Sequence, residues 1–226
     1  MSYSVIIPSR TASNLVPCVA AVRKHEPTAE IVLVDDGLNW SETDAGFLCC
    51  GVDRTFNLTI IDGQKPFVFA RNCNLGIRAC EGDVVLLNDD AILETPFGFH
   101  ELEEASHAHP EFGVISAVTN VVGNLAQQPK DEGLREEPRT LAFVCVYIPR
   151  RTIALVGLLD ERFTAYGHDD NDYCRRVRAA GLKLAIFDDC FVDHASLHST
   201  FRGLPHTAGD IRAGREIYIA KWGTAS

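Results

Sequence analysis

No stretch of the chain approaches the roughly 20 apolar residues that a membrane span requires. The N-terminal MSYSVIIPSR has too short an apolar run, and no basic lead, for a signal peptide. A long low-complexity tract and an internal repeat are both missing, which argues against disorder. Basic residues are scarce: 21 Lys and Arg stand against 31 Asp and Glu, for a formal net charge of -10. Such a surface is a poor match for nucleic acid or anionic lipid. It also repels a diphosphate, so a ligand of that kind bound among these acids requires a divalent cation to screen it. None of the eight cysteines (18, 49, 50, 73, 80, 145, 174 and 190) forms a CxxC pair. They read as reduced thiols packed as small hydrophobes. These absences lead to the expectation of a soluble, cytoplasmic chain.

What is there suits one domain with a real core: 226 residues, 46% hydrophobic and 23% charged. Tyr3 to Ile7 is a β-rich run stopped by Pro8. Residues 14–25 carry Leu15, Val19 and Val22 at helical spacing, with Pro17 tolerable in a first turn. Ile31 to Val34 and Phe56 to Ile61 are further apolar runs, ending in Asp35-Asp36-Gly37 and Asp62-Gly63. Pro66 to Cys80 reads as a helix, and Val84 to Leu87 as a fourth strand ending in Asn88-Asp89-Asp90. Apolar strands alternating with helices indicate an α/β fold with a mostly parallel sheet covered on both faces. Ligand chemistry in such sheets collects at the carboxyl ends of the strands, where this chain places its acids.

The second half is less regular. Gly113 to Val118 reads as a strand, residues 120–140 as a long polar loop over the site, Leu141 to Ile148 as a β-rich run and Arg150 to Val156 as a short helix. A helix begins at Asp169 and stops at Gly181; Lys183 to Phe187 and Phe191 to Val192 are strand-like; residues 209–222 form a closing helix. No clean boundary divides the chain, so 1–226 is taken as one domain. Within it, residues 1–90 form a nucleotide-binding half, 91–205 an acceptor and catalytic half, and 206–226 a helix and tail.

Three acidic groups could carry chemistry. Asn88-Asp89-Asp90 is either a turn or a site for Mg²⁺ or Mn²⁺ whose remaining positions take phosphate oxygens. Asp35-Asp36 is a turn, or accepts from a pyrimidine imide N–H or ribose hydroxyls; a phosphoacceptor role finds no support elsewhere in the chain. Asp169-Asp170-Asn171-Asp172 can cap a helix start, with Asp172 and Arg176 paired four residues apart. Alternatively Asp170 or Asp169 removes a proton from an acceptor hydroxyl. His194, with His198 close behind, is structural or a third metal ligand. Arg71 forms a surface ion pair or contacts the nucleotide.

Together these segments resemble the GT-A fold glycosyltransferases of inverting family 2, especially its rhamnosyltransferase-like members. The resemblance rests on VIIPSR at 5–10, IVLVDDG at 31–37, FARNCNLGIRACEGDVVLLNDDAIL at 69–93, VGLLDERF at 156–163 and YGHDDNDYCRRVRAAG at 166–181. It implies a metal-dependent transfer of sugar from a nucleotide-sugar, UDP- or dTDP-linked, to a hydroxyl of a glycan or other acceptor. Asp36 with Asp35 would bind base and ribose, bordered by Pro8, Ser9 and Arg10, and Arg71 would line the donor site. Asn88-Asp89-Asp90 falls on the DxD motif, with Asp90 as the metal carboxylate and His194 as a metal ligand. Asp169-Asp170 matches the catalytic pair, with Asp170 as base. The first DxD position is Asn88, which removes one charge near the metal. The chain is short for that family, implying an acceptor platform that is minimal or completed by another subunit.

Two other classes compete. A sugar-nucleotide pyrophosphorylase is expected to show a Gly-rich, basic signature near the first strand, and VIIPSRTASN has one basic residue and no glycine. A non-enzymatic nucleotide or carbohydrate binding module stays open through Asn88.

Overall fold

The computed structural model describes residues 3–39, 58–164, 167–197 and 207–223. Phe56, Tyr166, His198, Cys49 and Cys50 lie outside the described residues. In chain order the elements are β1 (Tyr3–Ser9), α1 (Ala12–His25), β2 (Glu30–Asp35), β3 (Leu58–Asp62), α2 (Phe69–Ala79), β4 (Asp83–Leu87), β5 (Ile92–Leu93) and α3 (Gly98–Ala108). There follow β6 (Phe112–Thr119), β7 (Leu134–Glu136), β8 (Cys145–Ile148), α4 (Arg150–Val156), α5 (Asp169–Ala179), β9 (Lys183–Asp193) and α6 (Thr207–Trp222).

The strands form one sheet in the order β3-β2-β1-β4-β8-β6-β9-β5, with β7 beside β9. β3, β2, β1 and β4 are mutually parallel, and β6 and β9 run parallel to each other. β8 is antiparallel to both β4 and β6, so β6 and β9 share the direction of β4. The carboxyl ends of β1, β2, β4 and β9 therefore meet on one rim. Helices cover both faces. Leu15, Val19 and Val22 of α1 and Phe99 and Leu102 of α3 pack on one side. Cys73 and Ile77 of α2, Ile153 of α4 and Tyr173 and Val177 of α5 pack on the other. Glycine at 76 is what lets α2 lie close on β1, because a β-carbon there would collide with the Ile6 side chain.

The elements depart from the sequence expectations where tertiary pairing overrides local pattern. Pro8 does not stop β1: it sits opposite Val34 of β2, beyond the last β4 pair at Ile6, a strand-end position compatible with a missing N–H. The polar segment 120–140 is not featureless, since it holds a 3-10 turn at Leu125–Gln127 and β7. Leu141 to Val144 is irregular, and the strand begins only at Cys145. Lys183 to Phe187 and Phe191 to Val192 are one strand, joined across a register shift. Arg150–Val156 is a helix with the expected ends. Cys18, Cys73, Cys80, Cys145, Cys174 and Cys190 are buried free thiols, in keeping with the reading of small packed hydrophobes. No helix among the described residues is long and apolar enough to cross a membrane.

Candidate active site

A cavity of about 970 Å³ opens at the rim and brings Pro8, Arg10, Asn88, Asp89, Asp90, Asp169, Asp170 and His194 into one lining. That volume suits a ligand well beyond the size of one sugar ring. Ser9, Asp35, Asp36 and Arg71 are not in the lining.

The turn after β4 is fixed by its backbone, with Asn88 N–H donating to Val144 O at 2.9 Å and Ala91 N–H to Asn88 O at 3.1 Å. This directs Asp89 and Asp90 to different partners. The Ser9 hydroxyl donates to Asp89 Oδ2 at 2.6 Å. Burial pushes the Asp89 carboxyl up to about 6, the Ser9 bond restrains the rise and the neighbouring Asp90 charge adds to it. Asp90 Oδ1 lies 3.0 Å from His194 Nε2, and both side chains are buried. His194 Nδ1 is 2.6 Å from Val121 O. A carbonyl can only accept, so Nδ1 carries a proton; in the neutral tautomer Nε2 then presents a lone pair to the carboxylate. Two acceptors at that distance call for a proton or a cation between them. An imidazole and a carboxylate are a donor set that fits Mn²⁺. Among the described residues no third His, Cys, Asp or Glu joins them. A bound ion would thus have to complete its shell with phosphate oxygens and water.

Also in the lining, α5 opens at His168, whose φ of 70° places it in the left-handed region. Asp169 is buried; Asp170 is partly buried, and backbone N–H groups of Asn171 and Phe143 bond to its carboxylate. Burial raises the proton affinity of both, and the charge of Asp170 raises that of Asp169 further. A pair in this state holds on to a proton at pH values where a free carboxylate has lost it.

The base-side acids behave differently. Asp35 Oδ1 accepts from the backbone N–H groups of Gly37 at 2.8 Å and Leu38 at 2.7 Å, a local turn bond. Asp36 is 1% exposed; its Oδ2 pairs with Lys65 Nζ at 3.0 Å, while its buried Oδ1 has no hydrogen-bond partner among the described residues. An orphaned buried acceptor beside the site is unusual. The Arg71 guanidinium donates to the backbone carbonyls of Gln64, at 2.7 Å, and Pro66, and so holds the loop rather than the cavity.

Several lining or supporting residues were not foreseen. Phe67, Val121 and Ile211 form apolar parts of the wall, and Asp210 adds a further acid. Gln127 is wholly buried: its amide donates to Ser116 Oγ at 2.6 Å and Ala142 O at 3.0 Å and accepts from Ala142 N–H at 2.7 Å. It pins the wall segment containing Ala142 and Phe143. The side-chain amide of Asn74 ties α2 to Leu159 N–H and O at 3.0 and 2.9 Å, anchoring the segment before α5. Only an inward position on a helix marks Asp210 in sequence; Gln127 carries no local signal.

The model of the family described as "Glycosyl transferase family 2" matches residues 4–140, more than half of the chain. The chain belongs to glycosyl transferase family 2. No curated protein sequence matches it. Its fold is the GT-A fold, shared with solved glycosyltransferases at 15% identity. GalNAc-T7, solved with UDP, GalNAc and Mn²⁺, superposes with a TM-score of 0.73 over 96% of this chain and 48% of its own. The mannosyltransferase PcManGT of Pyrobaculum calidifontis, solved with GDP-Man and Mn²⁺, superposes with a TM-score of 0.76 over 100% and 66%. S. aureus TarS 1-349, solved with UDP-GlcNAc, gives 0.66 over 97% and 67%. The family 2 chain described here thus spans from about half to about two thirds of the length of these structures.

Proposed function

We propose that this chain is a metal-dependent inverting glycosyltransferase that moves a sugar from a nucleotide-sugar, UDP- or dTDP-linked, to an acceptor hydroxyl. The observation that carries the reading is the meeting of the Asp90–His194 pair and the Asp169–Asp170 pair in one cavity. Asp90 and His194 are the residues that would hold Mn²⁺ or Mg²⁺. When bound, the cation supplies positive charge against the diphosphate. The neighbours solved with UDP, UDP-GlcNAc and GDP-Man support a nucleotide-sugar donor in general terms.

The chain's own residues then have separable tasks. Asp170 accepts the proton of the acceptor hydroxyl, and its burial keeps its proton affinity near that needed for the transfer. Asp169 keeps a second carboxyl beside it, so that the two share a proton load in which one remains a base. The deprotonated oxygen bonds to the anomeric carbon as the bond to the diphosphate oxygen breaks, on the opposite face. The anomeric configuration inverts. The Asp36 Oδ1, which has no hydrogen-bond partner among the described residues, supports recognition of a base N–H.

A panel of UDP-, dTDP- and GDP-sugars, assayed for release of nucleoside diphosphate with Mn²⁺ and with a chelator, tests the reading. Metal-dependent release with at least one donor is expected. Donor binding without release from any member leaves a binding module of the kind Asn88 keeps open, and refutes transfer.

A further inference from the structure

Helix α6 is held at its C-terminal end. Trp222 Nε1 and Lys221 Nζ donate to the buried carboxylate of Asp172 on α5 at 2.8 and 2.7 Å, and Lys221 also reaches Asp160 at 2.7 Å. The Arg175 guanidinium of α5 lies 4.4 Å from the centre of the Trp222 ring and 5.8 Å from that of Tyr218. Stepping back along the docked face from Tyr218 by four and eight residues reaches Gly214, which is buried, and Asp210. The last of these lines the cavity together with Ile211. The His168 ring, also in the lining, packs against Tyr218 at 5.9 Å and joins this wall to the start of α5.

An acid on the inward face of a helix is out of pattern. Its place in the first turn makes a carboxylate tolerable through the helix dipole. The dipole explains neither its direction nor its isolation. Asp210 has no hydrogen-bond or ion-pair partner among the described residues. It adds a third acid to Asp169 and Asp170 in the lining of the cavity. Against them, Arg10 is the single guanidinium among the described lining residues. Ile211 and Val121, 42% and 37% exposed, offer apolar edges on the same lining. Acid and apolar edge together suit the hydroxyls and C–H face of a sugar ring, and they oppose a fixed negative charge.

We propose that α6 is the acceptor-recognition element of this chain, and that Asp210 is a specificity-determining residue that admits neutral and cationic glycosides and turns away anionic ones. The proposal rests on the sugar-transfer reading above. Three acceptors of different charge on one pyranoside scaffold test it: a methyl glycopyranoside, its 2-amino-2-deoxy analogue and its uronic acid, each assayed with a donor found active in the nucleotide-sugar panel. The wild-type chain is expected to favour the first two over the uronic acid by about tenfold in kcat/KM, the size of one partly screened charge contact. Asp210→Lys shrinks or inverts that ratio by about tenfold, and Asp210→Asn gives an intermediate value. Because Asp210 is part-exposed and has no partner among the described residues, neither change removes a described contact that holds the fold. Donor turnover without discrimination among the three acceptors, or with a ratio that stays within about twofold in Asp210→Lys, overturns the assignment alone. No nucleotide release from any donor overturns the transfer reading and the assignment with it.

Discussion

The attachment of α6 predicts a specific cost for Asp172→Asn. The Asp172 carboxylate is fully buried and accepts from Trp222 Nε1 at 2.8 Å, Lys221 Nζ at 2.7 Å and Arg176 Nε at 2.9 Å. Asparagine keeps the shape, removes the charge and turns an NH₂ group toward one set of donors. Breaking a fully buried ion pair by removing one partner costs about 3–5 kcal/mol. Here the Arg176 and Lys221 side chains are each 18% exposed and retain Val156 O at 3.0 Å and Asp160 at 2.7 Å. Water and these partners recover part of the loss, which leaves about 2–3 kcal/mol. For a chain of this length that is a fall of about 5–10 °C in Tm. Calorimetry or a thermal melt reads the shift, and tryptophan emission moves to longer wavelength as Trp222 loses its bond. A Tm within about 2 °C of wild type, with unchanged emission, refutes the claim that Asp172 holds the helix.

Other outcomes follow from the same geometry. Asp170→Asn lowers transfer by about 10²–10⁴-fold while donor affinity, measured by calorimetry, stays within about twofold; near-normal turnover refutes the base assignment. Because burial raises the proton affinity of Asp169 and Asp170, the base is lost as pH falls through values above the ordinary carboxylate figure of about 3.9. The acid limb of kcat/KM therefore lies above that figure in a pH–rate profile, and a limb at or below it refutes the burial argument. His194→Ala raises the Mn²⁺ concentration for half-maximal nucleotide release by about tenfold or more, and an unchanged midpoint removes His194 from the cation site. Gln127→Leu strands the Ala142 N–H and lowers stability by about 1–3 kcal/mol in urea unfolding, together with a raised acceptor KM. An effect below about 0.5 kcal/mol refutes its role as a pin.

Strands buried on both faces were legible because their composition alone identifies them. Ile31 to Leu33 of β2 and Val84 to Leu87 of β4 have no polar side to confuse the pattern. Where pairing partners came from afar, the pattern failed. Asp188 and Asp189 break the apolar run of β9, yet the strand continues because Asp188 is satisfied at 3.0 Å by Arg135 of β7. The three residues of β7 are too few to show a period, and they are ordered by pairing with Phe187, Ile186 and Ala185. Asp172 carries the same lesson at one side chain. Its i,i+4 partner Arg176 was readable from spacing, whereas Lys221 and Trp222 lie some fifty residues away and leave no local trace.

The candidate site was legible to the extent that its residues sit at strand ends. Asn88 to Asp90 and His194 end strands whose shared direction forces them onto one rim, and Asp169-Asp170 joins them from the start of a helix. Asp36, also at a strand end, is not in the cavity lining, and Lys65 pairs with its carboxylate. The excess of acid over base in the composition suggested that a diphosphate bound here needs a cation. Folding sharpens that argument: it collects Asp89, Asp90, Asp169, Asp170 and Asp210 around one volume, and burial drives Asp89 up to about 6. Local charge, more than the total of -10, decides what can enter. A diphosphate can approach such a wall with a cation between them, whereas an acceptor has no such screen and must match the wall itself.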